Sequence, residues 1–251
     1  MSLITDKDNI YLFVDNKKYH DESVKDLFGF MDKNFTLYFR IKVIKELLTD
    51  DLSYAFSRNG KHSGLSFIKN YNDKILVFFN YWFIDENGKD VYFEKNFELN
   101  NEIESDFNDY AIICDDENKT IKCYVNHTNV GTIEYNGLEK QKYNNSFIWI
   151  GCGNLLTDKE EHKHIGNFII DMMIGLDISV SYNKISYIAT DYEKFIETRF
   201  QLDEKFLKKD APFYDNTIFF MDFKHKSVYK LWNLRFNGIN PQLYIENNIY
   251  Y

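Results

Sequence analysis

This chain of 251 residues holds only two prolines, three cysteines and eleven glycines. Scarce proline and glycine, with charge spread along the chain, exclude a low-complexity stretch, and folded structure is expected nearly throughout. The cysteines, Cys114, Cys123 and Cys152, are too few for a disulfide framework and lack metal-binding spacing. Cys114 and Cys123 flank a hairpin where a cross-strand bridge is conceivable. Buried free thiols are the expectation there, and with them a reducing, cytoplasmic setting. No basic block occurs and the formal charge is −9. A nucleic-acid partner needs a clustered Lys/Arg surface, so none is expected. No apolar run nears the roughly 20 residues that span a bilayer, which excludes membrane insertion by a helix. The start lacks a charged region followed by an apolar one, and Met1-Ser2-Leu3 has the form of a vector leader, which would place a native signal or a whole domain upstream.

What the chain does have is aromatic side chains, at 18%, with 23 Phe and 19 Tyr. Such residues fit a pleated, half-buried surface, so strands are favoured. From Phe35 to Val43, residues Phe35, Leu37, Phe39, Ile41 and Val43 fall on one face and Thr36, Tyr38, Arg40 and Lys42 on the other, which predicts a half-buried strand. Ile75 to Ile84 is a more continuously apolar run. Asp85-Glu86-Asn87-Gly88 closes it before Val91-Tyr92-Phe93, and the Asn-Gly pair marks a tight hairpin. Tyr110 to Cys114 and Thr120 to Val125, separated by Asp115 to Lys119, make a second hairpin. Asn126 to Asn129 turns the chain into Val130 to Ile133, and Phe147 to Ile150 and Phe168 to Ile174 add two strands. Short, evenly spaced strands indicate an all-β antiparallel sandwich of jelly-roll type.

One stretch breaks the period of two. Tyr192, Phe195, Ile196 and Phe200 recur at helical spacing, and Thr190 with Glu193 has the spacing of a capping box, so a helix is predicted over about 190–200, ending before Pro212. Strands resume at Thr217 to Phe223 and Gln242 to Tyr250, and the tail 213–251 is expected to complete one sandwich domain spanning 1–251. Asp8 to Asp15 echoes Asp215 to Asp222. Either these are two terminal strands, paired with each other, or the tail opens a truncated second module.

The run Lys33-Asn34-Phe35-Thr36-Leu37-Tyr38-Phe39-Arg40-Ile41-Lys42 resembles the opening strand of laminin-G-like modules of the concanavalin A-like lectin and glucanase superfamily. In the same order follow Ser57-Arg58-Asn59-Gly60 with Ser63-Gly64-Leu65-Ser66-Phe67, and Thr120-Ile121-Lys122-Cys123-Tyr124-Val125-Asn126 with Val130-Gly131-Thr132. Phe147-Ile148-Trp149-Ile150-Gly151-Cys152-Gly153-Asn154 and Gly166-Asn167-Phe168-Ile169-Ile170-Asp171-Met172-Met173-Ile174 complete the series. Two positions depart from the pattern. Asn126-His127 stands where the family carries an Asp-Gly turn, and Ile170 where a second acid often lies. The resemblance covers about residues 33–180 and implies the fold; that fold hosts lectins, glycosidases, adhesion modules and accessory domains alike.

The glucanases of this fold place catalytic carboxylates at alternating positions of one strand, and glycoside hydrolysis needs a pair about 5 to 9 Å apart. No such run is present. Glu102-Ile103-Glu104 alternates but sits in a polar stretch that reads as a loop. Gly151-Cys152-Gly153 reads as a strand end rather than a nucleophile elbow, since no histidine is arranged with it. Hard oxygen ligands suited to calcium occur at Asp115, Asp116, Glu117 and Asn118, with Asp171 as a further candidate. Glu160, Glu161, His162 and His164 offer ligands to zinc, although a solvated loop is the plainer reading.

A sugar site needs a flat aromatic face beside amides and carboxylates. Trp82 with Tyr81, Asn80 and Asp85 is the best such cluster, then Arg58, Asn59 and His62. Strand alternation turns one of Tyr81 and Trp82 inward. Trp149 and Trp232 are expected in the core. The sequence therefore points to a non-catalytic carbohydrate-binding or recognition module, an accessory part of a larger glycan-related protein whose partner is a glycan or a neighbouring domain. A structural domain without a small ligand is the alternative, and a divergent glycosidase using Glu102 or Glu104 ranks last.

Overall fold

In the computed structural model of this chain the described residues are 3–5, 11–15, 29–48, 50, 52–58, 63–70, 72–99, 106–141, 147–150, 168–199, 204–222 and 242–244. Numbered along the chain, the strands are β1 (Leu3–Thr5), β2 (Tyr11–Asp15), β3 (Phe35–Val43), β4 (Ser53–Arg58), β5 (Ser63–Lys69), β6 (Ile75–Ile84), β7 (Asp90–Glu98), β8 (Asn108–Asp115) and β9 (Thr120–Val125). They continue with β10 (Thr128–Glu134), β11 (Glu139–Lys140), β12 (Phe147–Ile150), β13 (Phe168–Leu176), β14 (Ile196–Arg199), β15 (Glu204–Leu207), β16 (Thr217–Asp222) and β17 (Gln242–Tyr244). Among them, β3, β6, β9 and β12 keep the bounds that the sequence pattern predicts.

Two antiparallel sheets face each other. In the first sheet the order is β1, β13, β3, β8, β9, β10, and β16 shares the outer edge of β13 with β1. The second runs β11, β6, β5, β4, β12, β2, β17, and β7 pairs along β6 from Leu76 to Ile84. The period-two residues do what an inward face requires. Phe35, Leu37, Phe39 and Ile41 of β3 meet Val77, Phe79, Tyr81 and Phe83 of β6 in one apolar cluster. Each fully buried side chain of this size contributes about 1.5–3 kcal/mol relative to exposure. The expected antiparallel β-sandwich is the observed architecture.

The other face of β3 corrects the half-buried expectation. Thr36 and Tyr38 are fully buried because the chain after β13 folds back over them. Thr36 Oγ1 donates to the Ile178 carbonyl at 2.8 Å and accepts the Val180 N–H at 3.1 Å. Helix α1 (Tyr182–Asp191) then lays Ile185, Ile188 and Ala189 against Tyr38, Ala111, Ile113, Met172 and Ile174. This helix begins eight residues before the position predicted from sequence. Ser181 caps it by accepting the Lys184 N–H at 3.4 Å, whereas Thr190 sits inside it and donates back to the Ser186 carbonyl. A 3-10 turn (Tyr192–Phe195) follows, and Ile196 enters β14 opposite Leu207 of β15. Pairing in a hairpin with the very next strand overrides the helical spacing.

The echoing segments do not pair with each other. Tyr11–Asp15 lies in the second sheet between β12 and β17, and Thr217–Asp222 lies in the first on β13. Cys114 and Cys123 are buried free thiols whose strand partners are Ile121 and Ile112, so no bridge joins them. Cys152, Trp232 and the segment 151–167 lie outside the described residues. Among the described residues no helix is long and apolar enough to cross a membrane.

Candidate functional site

Strand β6 points odd-numbered residues into the core and even-numbered ones outward. Tyr81 is therefore a core residue, 1% exposed, and its hydroxyl donates to the Met31 carbonyl at 3.0 Å while its ring stacks on Phe35. That removes it from the predicted sugar platform. Trp82 and Asn80 face the other way, two positions apart on one face. Asp85 uses one carboxylate oxygen, Oδ1, in the hairpin turn. It accepts the Asn87 and Lys89 N–H groups at 2.9 and 2.8 Å, while Gly88 takes a φ of 76°. Those bonds, the one from Lys89 first, hold the Asp85 carboxyl below its ordinary value.

The Asn87-Gly88 turn sets a register that brings Tyr92 opposite Trp82 and Glu94 opposite Asn80. The Trp82 and Tyr92 rings lie 5.0 Å apart at 51°, and Tyr92 is 45% exposed. Its hydroxyl donates to Glu94 Oε2 at 2.5 Å, which fixes both side chains. On the far side of Asn80, Gly64 of β5 completes the row. A Cβ there would come within 2.6 Å of the Phe56 carbonyl and 3.1 Å of two Tyr54 ring carbons, so glycine is required for the Tyr54 ring to lie across β5. Burial pushes the Tyr54 phenol up to about 12, and the Glu94 charge adds to this, which places Tyr54 within the field of that carboxylate. Burial followed by the bond to Glu94 likewise raises the Tyr92 phenol.

The outer face of β5, β6 and β7 thus gathers Tyr54, Asn80, Trp82, Tyr92 and Glu94, of which Tyr92 and Glu94 are exposed, Trp82 is half-buried, and Asn80 and Tyr54 are buried at 4% and 3% exposure. Its exposed part, the Tyr92 ring and the Glu94 carboxylate, has the chemistry of stacking and of accepting hydroxyl hydrogen bonds, and the buried Asn80 corrects the expectation of an amide beside the ring. Sequence reasoning found Trp82 and Asn80 and missed the other three. Tyr92 and Glu94 were legible, because Tyr92, Glu94, Asn96 and Glu98 alternate with Val91, Phe93 and Phe97 behind a two-residue turn signal. Tyr54 was not, since it reaches the row only through the missing side chain of Gly64. Of the second predicted cluster, Arg58 ends β4 opposite Ser63, and Asn59 and His62 lie outside the described residues.

The candidate calcium ligands do not converge. Asp115 Oδ1 and Oδ2 accept the backbone and side-chain N–H groups of Asn118 at 3.1 and 2.7 Å. Asp116 accepts the Tyr135 hydroxyl at 2.7 Å and pairs with Lys119 and with Lys140, a buried lysine that also donates to the Lys33 carbonyl and to Cys114 Sγ. Partial burial works to raise the Asp116 carboxyl, but Tyr135 and the two lysines outweigh it and hold the group below its ordinary value. Asp171 lies on β13 at the level of Arg40 and Ile41, whereas Asp115 follows Cys114, which is opposite Phe35; that is roughly 20 Å away at 3.3 Å per residue. Among the described residues no group of three or more His, Cys, Asp or Glu is placed to hold a metal ion. Glu102, Glu104, Glu160, Glu161, His162 and His164 lie outside them.

No protein-family model matches the sequence, and no curated protein does. Solved structures of similar shape include a heptameric SAP-like pentraxin from Limulus polyphemus, 14% identical with a TM-score of 0.40 over 62% of this chain and 70% of that one. The binding domain of botulinum neurotoxin DC, in complex with SialylT, is 15% identical with a TM-score of 0.46 over 66% of this chain and 38% of that one. A K499G mutant of NanB sialidase from Streptococcus pneumoniae is 16% identical with a TM-score of 0.47 over 74% of this chain and 27% of that one. This chain thus matches well under half of the neurotoxin and sialidase chains. At such identities and scores no ligand and no residue role passes from them to this protein.

Proposed function

We propose that this chain is a non-catalytic carbohydrate-recognition module, of the laminin-G-like kind within the concanavalin A-like sandwiches and accessory to a larger glycan-related protein. Its site is the outer face of β6 and β7. The observation that carries the reading is Tyr92, a large ring kept 45% exposed while Trp82 braces it and Glu94 accepts its hydroxyl. An exposed ring of that size with both ends fixed loses little entropy on stacking against a sugar. The carboxylates beside it favour binding over hydrolysis. Glu94 is flanked on its face by Tyr92 and Asn96, and Glu98, four residues on, is about 13 Å away and pairs with Lys74. That spacing exceeds what either glycosidase geometry uses.

A glycan array followed by calorimetry on the full chain tests the proposal, run with and without calcium. The expected result is a micromolar to millimolar saccharide ligand whose affinity falls at least tenfold in Tyr92→Ala, with calcium making no difference. A clean negative across neutral and acidic glycans would sink it and leave the structural-domain reading in its place.

A further inference from the structure

We infer, resting on the reading just given, that the ligand of the β6–β7 face is an uncharged saccharide and that carboxylated glycans are rejected there. Glu94 decides this. An ionised carboxylate accepts hydrogen bonds and donates none, so it selects ligand groups that donate. Sugar hydroxyls donate; a sialic or uronic carboxylate is itself an acceptor of the same sign, and meeting Glu94 would leave two like charges facing each other without a shared proton.

The surroundings reinforce Glu94. Asp90 and Glu98 lie on the same face of β7, four residues to either side of it. Of the described cations near this strand, Lys74 is paired with Glu98 at 3.8 Å. Lys95 alternates to the opposite face, where its stem packs against Gly131 of β10. Lys89, exposed just before β7, lies in the hairpin with Asp85 and Glu86, so the described charge of the face and its turn stays negative, as is that of the whole chain at −9. Because Glu94 accepts the Tyr92 hydroxyl, a ring stacked on Tyr92 lies beside that charge.

The test uses matched glycans that differ only in the acid, lactose against sialyllactose and N-acetyllactosamine against its sialylated form, titrated into the full chain by calorimetry. The neutral member of each pair should bind at least tenfold more tightly, a difference of about 1.4 kcal/mol. Glu94→Gln, with its fold checked by circular dichroism, should close that gap to within about threefold, and 0.5 M salt should narrow it in the wild type. Acidic glycans that bind as tightly as neutral ones, with both lost in Tyr92→Ala, would overturn the selectivity while leaving the face a saccharide site. If neither class shows binding that depends on Tyr92, the reading of the face falls and this inference falls with it.

Discussion

Helix α1 covers the outer face of β8 and β13, whereas on the outer face of β7 Tyr92, Glu94 and Asn96 stay exposed. In sequence the two regions look alike. Tyr110 to Cys114 and Ile75 to Ile84 are both nearly continuous apolar runs. On the covered side Ala111, Ile113, Met172 and Ile174 are buried and their neighbours are apolar, so those positions serve stability. On the other, the outward row holds Asn80, Trp82, Tyr92 and Glu94, with the Tyr92 hydroxyl bonded to Glu94. A strand buried on both faces and a strand with one partly exposed face differ in what the rest of the chain lays over them.

If that contrast is right, the largest effect belongs to the covered side. Ile185→Ala, at a position with no exposure, should lower unfolding free energy by about 2–5 kcal/mol in urea titrations. A loss under about 1 kcal/mol would mean that α1 lies outside the cooperative core.

An intermediate effect is expected where Asp116, in the β8–β9 turn of the first sheet, meets Lys140 on β11 of the second. Removing the acid leaves a buried ammonium with the Lys33 carbonyl and Cys114 around it. Asp116→Asn should cost on the order of 2–4 kcal/mol, at the low end because Asp116 is 35% exposed. The sign with pH follows from the depressed folded value. The stabilisation is complete above the unfolded carboxyl pKa of about 4 and is lost as pH falls through the lower folded one. Melting temperatures of the wild type and Asp116→Asn should therefore converge on acidification below about pH 4. A constant gap would show that the carboxylate charge is not what matters.

The smallest effect on stability should come from the open side. Tyr92→Ala should lower unfolding free energy by no more than about 1.5 kcal/mol, the loss of its ring pair with Trp82, while abolishing most saccharide affinity. A large destabilisation would make Tyr92 a packing residue and erase the contrast.

Much of the fold was legible because alternation at period two is a local property. The bounds of β3, β6, β9 and β12 follow from which residues are apolar and where turn-formers interrupt them. The inward half of the core follows too, from Phe35, Leu37, Phe39 and Ile41. The helix was misplaced because Tyr192, Phe195, Ile196 and Phe200 carry helical spacing just as Tyr182, Ile185, Ile188 and Ala189 do. Only the partner strand at Leu207 decides that the second set leaves the helix.

The candidate site was legible by halves. Sequence alone determined that one of Tyr81 and Trp82 faces out, and that a hairpin at Asn87-Gly88 returns the chain beside it. Which one faces out depends on which face of β6 meets β3. That β3 loses its own polar face depends on where the chain goes after Ile178, and that Tyr54 joins the row depends on the empty space at Gly64. These are contacts between separate elements, from strands of one hairpin to segments more than a hundred residues apart. Burial is set by the sum of such contacts, so no local pattern of residues fixes it.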